Sequence, residues 1–253
     1  MNPPFFVLVL AFLLSTGRGA TLVLPVLQDT WLDEMPLDAE EQNGLAAGGT
    51  YQLMVGRVGE NDATPLRRSL IQFDLSTIPS GAVIRNAFVS LYAFKVKYYD
   101  EVPVTLQRVT SGWVAGTYNS GGSGHSSGMN PGDATWLNTS SPAAWNTPGG
   151  DFIGAPSATA IVGETGLYSW SSSQLTADVQ AWIDGAAENF GWIVRGDEVT
   201  PHMVKEFASM DYFDSDLSPT LTIDFITVPE PTDLALAPIG AWVVLLRRRP
   251  RSR

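Results

Sequence analysis

The side chains of this chain most capable of chemistry are acids and aromatic rings. There are only two histidines, His125 and His202, and no cysteine. They lie far apart and lack the His/Cys/Asp spacing of a zinc site. His125 sits in a glycine-rich stretch and His202 follows Pro201 in a turn, so both read as solvated loop histidines. A Ser/His/Asp triad needs no proximity in sequence, but no G-x-S-x-G elbow is present. Gly121-Gly122-Ser123-Gly124 lacks the strand–turn–helix context of a phosphate loop and reads as linker.

Carboxylates are plentiful. Pairs occur at Asp33/Glu34, Glu40/Glu41, Asp100/Glu101 and Asp197/Glu198, and the densest cluster is Asp211, Asp214 and Asp216. A glycosidase needs two carboxylates ~5–10 Å apart, but with so many acids chance proximity is common. No residue is assigned to catalysis. Ca²⁺ takes six to eight oxygens, often from loop carboxylates and carbonyls. Asp211, Asp214 and Asp216 are therefore the candidate ligands of a structural Ca²⁺, although the glycine and distal glutamate of an EF-hand loop are missing. The alternative is a solvated acidic turn.

Aromatic rings stack on sugars through their apolar faces. Of the eight tryptophans, Trp170, Trp182 and Trp192 lie in periodic elements and read as core. Trp113, Trp136 and Trp145 lie in or beside the loop region 112–151. With Tyr118 they are the candidate ligand-binding residues; the alternative is that they staple the loop to the fold. Residues 116–133 hold six glycines and four serines and cannot bury enough apolar surface to order alone.

The elements that must position these residues are strands. Pro219 to Ile226 alternates, with Leu221, Ile223 and Phe225 on one face and Thr220, Thr222 and Asp224 on the other. Ser69 to Leu75 alternates similarly. Ile84 to Phe94 is apolar on both faces and reads as a central strand. Further strands are expected at 51–55, 102–109, 167–170, 190–195 and 204–209. Such short runs between turn signals, with no α/β alternation, point to an all-β jelly-roll β-sandwich of about eight to ten strands. One short helix interrupts it: Leu175, Val179, Trp182 and Ile183 share a helical face. Ser173 or Thr176 is expected to cap it, Asp178 to suit its positive first turn and Gly185 to end it.

Both ends read as processing segments. Residues 1–20 carry an apolar stretch, Phe5 to Leu14, followed by small residues. That is the layout of a signal peptide cleaved between Gly17 and Ala20. At the other end Val228-Pro229-Glu230-Pro231 precedes an apolar run, Leu234 to Leu246, and then Arg247, Arg248 and Arg249. As a helix this thirteen-residue run reaches ~20 Å, short of the ~30 Å hydrocarbon core. The basic cluster would hold that end on the cytoplasmic side. Between the ends, residues 21–228 form one domain. The two ends hold six arginines and two acids, so removing them moves the net charge from −11 to −15. Such a field repels nucleic acid.

The tail, through Pro229, Glu230, Pro231 and Arg247 to Arg249, resembles the PEP-CTERM sorting signal of Gram-negative bacteria. The resemblance implies handling by an exosortase, transient membrane contact through 229–253, and delivery to the cell surface or an extracellular matrix. The core resembles the DNRLRE domain family. The matching blocks are Asp29-Thr30-Trp31, the run from Ser69 through Phe73-Asp74-Leu75 to Ala82, Ala134-Thr135-Trp136 with Trp145 to Asp151, Asp178 to Trp182 with Asn189-Phe190-Gly191-Trp192, and Phe207-Ala208-Ser209 with Pro219-Thr220-Leu221. This implies a carbohydrate-binding-like module. The expected function is an exported, non-catalytic protein that binds polysaccharide. The alternatives are a purely structural matrix component or a polysaccharide-degrading enzyme.

Overall fold

The computed structural model describes residues 18–34, 46–59, 65–119 and 130–227. The apolar stretch 5–14, Glu40 and Glu41, His125 and the tail with Pro229, Glu230, Pro231 and Arg247 to Arg249 lie outside them.

The first strand, β1 (Arg18–Asp33), is long enough to serve two layers. Its first half, Arg18 to Pro25, pairs with the last strand of the chain. Its second half, Val26 to Asp33, pairs with β3 after a register shift between Val26 and Gln28. Pro25 stands where one ladder gives way to the other, a place where the missing N–H is tolerated. Strand β2 (Gln52–Arg57) also joins the layers, and β3 (Leu66–Phe73) follows it. Then come β4 (Val83–Val96), β5 (Val102–Arg108), a small ribbon of β6 (Asn138–Ser140) and β7 (Ala143–Ala144), β8 (Ala158–Val162) and β9 (Gly166–Ser171). The helix α1 (Ser173–Ile183) precedes β10 (Trp192–Arg195), β11 (Lys205–Ala208) and β12 (Thr220–Thr227).

Among the described residues the fold is all-β, with ten strands in the main sheet and one short α-helix. In one layer β4 is central: β12, β9 and β11 all pair with it. In the other, β3, β10, β5 and β8 run side by side. Pairing passes around β1, β12, β4, β11, β2 and β3 and back to β1, so these strands close on themselves. The edge strands are β8 and β9. Closure removes most of the unpaired strand edges that invite aggregation.

The alternation of β12 is realised: Leu221, Ile223 and Phe225 are buried between the layers with Trp170, Trp192 and Phe207. Leu175, Val179 and Trp182 turn the helix toward that core, as their spacing predicts. The cap differs from expectation. Ser172 caps the helix, its Oγ accepting from the Leu175 N–H at 2.9 Å, because only the residue outside the first turn has the extended backbone a cap needs. Asp178 is not in the first turn either. It is buried, and its carboxylate accepts from Trp192 Nε1 at 3.2 Å and from Ser157 Oγ at 2.5 Å. Strand β8 and the β6–β7 ribbon carry no periodic apolar signal and were not expected. Pairing begins at Arg18↔Thr227 and Gly19↔Ile226, within the segment expected to be removed.

Candidate functional site

The two outer faces of the sandwich differ, and that difference decides where a ligand can sit. Strand β3 is buried on both faces, and β10 buries Trp192, Ile193 and Val194 in succession. Trp192 and Val194 point into the main core. Ile193 and Leu70 point the other way, into a second apolar cluster with Leu32, Trp113, Trp136 and Trp145. The loop region between β5 and β8 covers this face. A sheet face carrying Leu70 and Ile193 must be shielded from water, and the loop tryptophans do it.

Trp113, Trp136 and Trp145 are therefore buried, at 5%, 8% and 5% exposure. Their polar edges are committed to the protein. Trp113 Nε1 donates to the Phe190 carbonyl at 2.8 Å and Trp145 Nε1 to the Thr135 carbonyl at 2.9 Å. The Arg68 guanidinium lies 4.8 Å over the Trp136 ring. These three expected ligand-binding residues form no exposed stacking platform; they staple the loop. Tyr118 is half-buried, and its carbonyl accepts from Gly49 N–H at 2.9 Å. Local turn chemistry completes the staple. Gly149 takes φ +87, and a Cβ there would lie 2.7 Å from the Trp136 ring. Burial alone would raise the Asp151 pKa, but bonds from the Asn146 and Thr147 backbone and from the Ser111 and Asn146 side chains hold it below the usual range.

The described residues leave the outer face of the β4 layer largely uncovered. On β4 the residues Ala87, Val89, Leu91 and Ala93 are buried, while Phe88, Ser90, Tyr92 and Phe94 alternate with them and face outward. Phe94 packs 6.0 Å from Tyr51 and 5.0 Å from Tyr212, between ring centroids. Tyr51 and Tyr212 are 6.3 Å apart, and Phe213 lies 4.1 Å from Tyr212. Phe213 is 84% exposed and Tyr51 37%. Leu167 of β9, opposite Tyr92, is 68% exposed. Three phenols and two phenyl rings thus form one patch, with Phe213 and Tyr51 exposed and Tyr92, Phe94 and Tyr212 half-buried. Burial, with Tyr92, Asp214 and Tyr51 nearby, pushes the Tyr212 phenol up, so it remains a hydrogen-bond donor at neutral pH.

The acidic turn adjoins this patch. Asp214 accepts from the Asp216 N–H at 3.2 Å and caps the short 3₁₀ turn Ser215–Leu217. Asp214 and Asp216 are exposed, and Asp211 lies near the buried Asp29 rather than converging with them on one point. Among the described residues, no three histidine, aspartate or glutamate side chains stand together to hold a metal ion. His202 has its Nδ1 3.3 Å from Lys97 Nζ and its ring against Tyr98. No protein-family model matches the chain, and no curated protein sequence matches it. Among the described residues no helix is long and apolar enough to cross a membrane.

The sequence reading missed this patch because its rings come from three distant segments. One signal was available. The outward positions of β4 read Phe88-x-Ser90-x-Tyr92-x-Phe94, and aromatic residues on the solvent side of a strand are the exception that calls for explanation.

Proposed function

We propose that the chain is an exported surface or matrix protein whose jelly-roll module binds polysaccharide without catalysis. The observation that carries this is the exposed patch of Tyr51, Tyr92, Phe94, Tyr212 and Phe213 on the β4 layer. Neighbouring rings that leave Phe213 and Tyr51 exposed and the other three half-open to water are costly unless a partner covers them. Rings with hydroxyl groups offer a sugar both an apolar face and hydrogen bonds. The resemblance of the core to the DNRLRE family and of the tail to a PEP-CTERM signal supports the same reading and would carry the module to the cell surface.

Affinity electrophoresis tests it. The purified protein should be retarded in gels containing a bound polysaccharide, and Phe213→Ala should reduce the retardation at unchanged thermal stability, since the side chain is almost wholly exposed. A protein that migrates freely through every polysaccharide gel, or that instead self-associates through the patch in sedimentation, would favour a purely structural matrix role.

A further inference from the structure

Beside the aromatic patch, on the same outer face, lies a groove of about 510 Å³ with a mixed polar and apolar lining. Arg85, Asn86 and Phe88 of β4 form its floor, Asp224 of β12 one wall, and Ser171 and Thr176 the other. Its polar groups are arranged rather than scattered. Asp224 is held by Thr21 Oγ1 at 2.5 Å and by Asn86 Nδ2 at 3.3 Å. A planar carboxylate and a planar amide thus sit side by side in a groove that Phe88 also lines. Planar polar side chains beside an aromatic platform can bond neighbouring hydroxyls of a sugar ring while its C–H face packs below.

Groove and patch share the outward side of one strand. From Asn86 to Phe94 is about 26 Å at ~3.3 Å per residue. Between them lie Ser90 and Ser169, whose hydroxyls are 3.0 Å apart, a low hydroxyl-bearing step. The path therefore fits a linear chain of several rings, not a single sugar. Charge narrows the class. Asp214 and Asp216 border the Tyr212 end and Asp224 the groove; Glu206 is paired with Lys95 at 2.7 Å, and Lys97 and Arg85 are the other exposed cations of this strand and the residue that follows it. A polyanion laid along it would meet like charge at the Tyr212 end, and in the groove it would meet the Asp224 carboxylate beside Arg85.

Building on the proposed glycan binding, we infer that the ligand is a neutral, linear polysaccharide lying along β4, with its contacts running from the Tyr212–Phe94 patch into the Asn86–Asp224 groove. The test pairs two measurements. Affinity electrophoresis compares neutral gels (β-glucan, mannan, xylan) with polygalacturonate. Calorimetry then follows di- to hexasaccharides of the retarding polymer. The neutral polymer alone should retard, and the hexasaccharide should bind at least about tenfold more tightly than the disaccharide. Asn86→Ala and Asp224→Ala each remove hydrogen bonds to the far rings and should weaken hexasaccharide binding by roughly three- to tenfold. Ile161→Ser, on exposed β8, serves as the control and should change nothing.

Equal affinity for di- and hexasaccharide, or hexasaccharide binding untouched by both groove variants, overturns the groove's part while glycan binding by the patch stands. Retardation by polygalacturonate alone overturns the neutral class. Free migration in every gel sinks the underlying reading as well.

Discussion

Asp29 on β1 is almost fully buried, at 1% exposure, and no ion pair reaches it among the described residues. Its Oδ2 accepts one bond, from the Met210 N–H at 2.8 Å. Burial, with a further push from Asp211, raises its pKa to about 8 despite that bond. In the unfolded chain the same group titrates near the ordinary ~3.9. Between these values the folded protein holds one proton that the unfolded chain has lost. Stability from Asp29 is therefore complete below pH ~4, declines as pH rises, and is gone above about 8. Each pH unit in that window costs ~1.4 kcal/mol, so about 4 kcal/mol is lost between pH 4 and pH 7. That is a large share of the ~5–15 kcal/mol of a typical domain. Asp29→Asn should flatten this slope, because an amide is neutral at every pH and its oxygen still accepts from Met210. The assay is urea denaturation of both proteins from pH 5 to 8.5. Asp151, Asp197 and Glu198, held below their ordinary values, lose their contribution only as pH falls through the acid range, outside that span. Asp211 is also raised by burial and leaves a smaller residual slope of the same sign. A flat wild-type profile, or an Asp29→Asn protein with the wild-type slope, would refute the reasoning.

Two further substitutions separate structural roles from binding. Trp145→Ala should destabilise the protein by about 3–5 kcal/mol, because it empties the cluster beneath the loop; a loss of glycan retention at unchanged stability would instead mean that the indole meets ligand. Arg67 is fully buried, 2.5 Å from Asp33 and 5.4 Å from the Trp31 ring centroid. Arg67→Ala removes the guanidinium from the buried Asp33 carboxylate and should cost roughly 3–5 kcal/mol in urea denaturation, whereas Arg67→Met with Asp33→Leu should recover most of it; equal losses in the two variants would contradict this.

The local periods of the chain were enough to place most strands and the helix. Leu221, Ile223 and Phe225 alternate because a strand between core and solvent must alternate. Leu175, Val179 and Trp182 recur at helical spacing because one helix face packs on the sheet. Both rules act within a few residues, so they are written in order along the chain. The apolar runs 5–14 and 234–246, and the arginines after the second, read in the sequence as processing segments and lie outside the described residues.

What the tertiary structure alone decided was which aromatic residues are covered. Trp113, Trp136 and Trp145 look like ligand platforms in a loop until β3 and β10 are seen to expose Leu70 and Ile193 beneath them. Tyr51, Phe94 and Tyr212 meet only because β4 pairs with β11, whose following turn carries Tyr212, and β11 pairs with β2, which Tyr51 precedes. Burial depends on what lies opposite a residue in space. No local period records that, because the opposite partner comes from a segment scores of positions away.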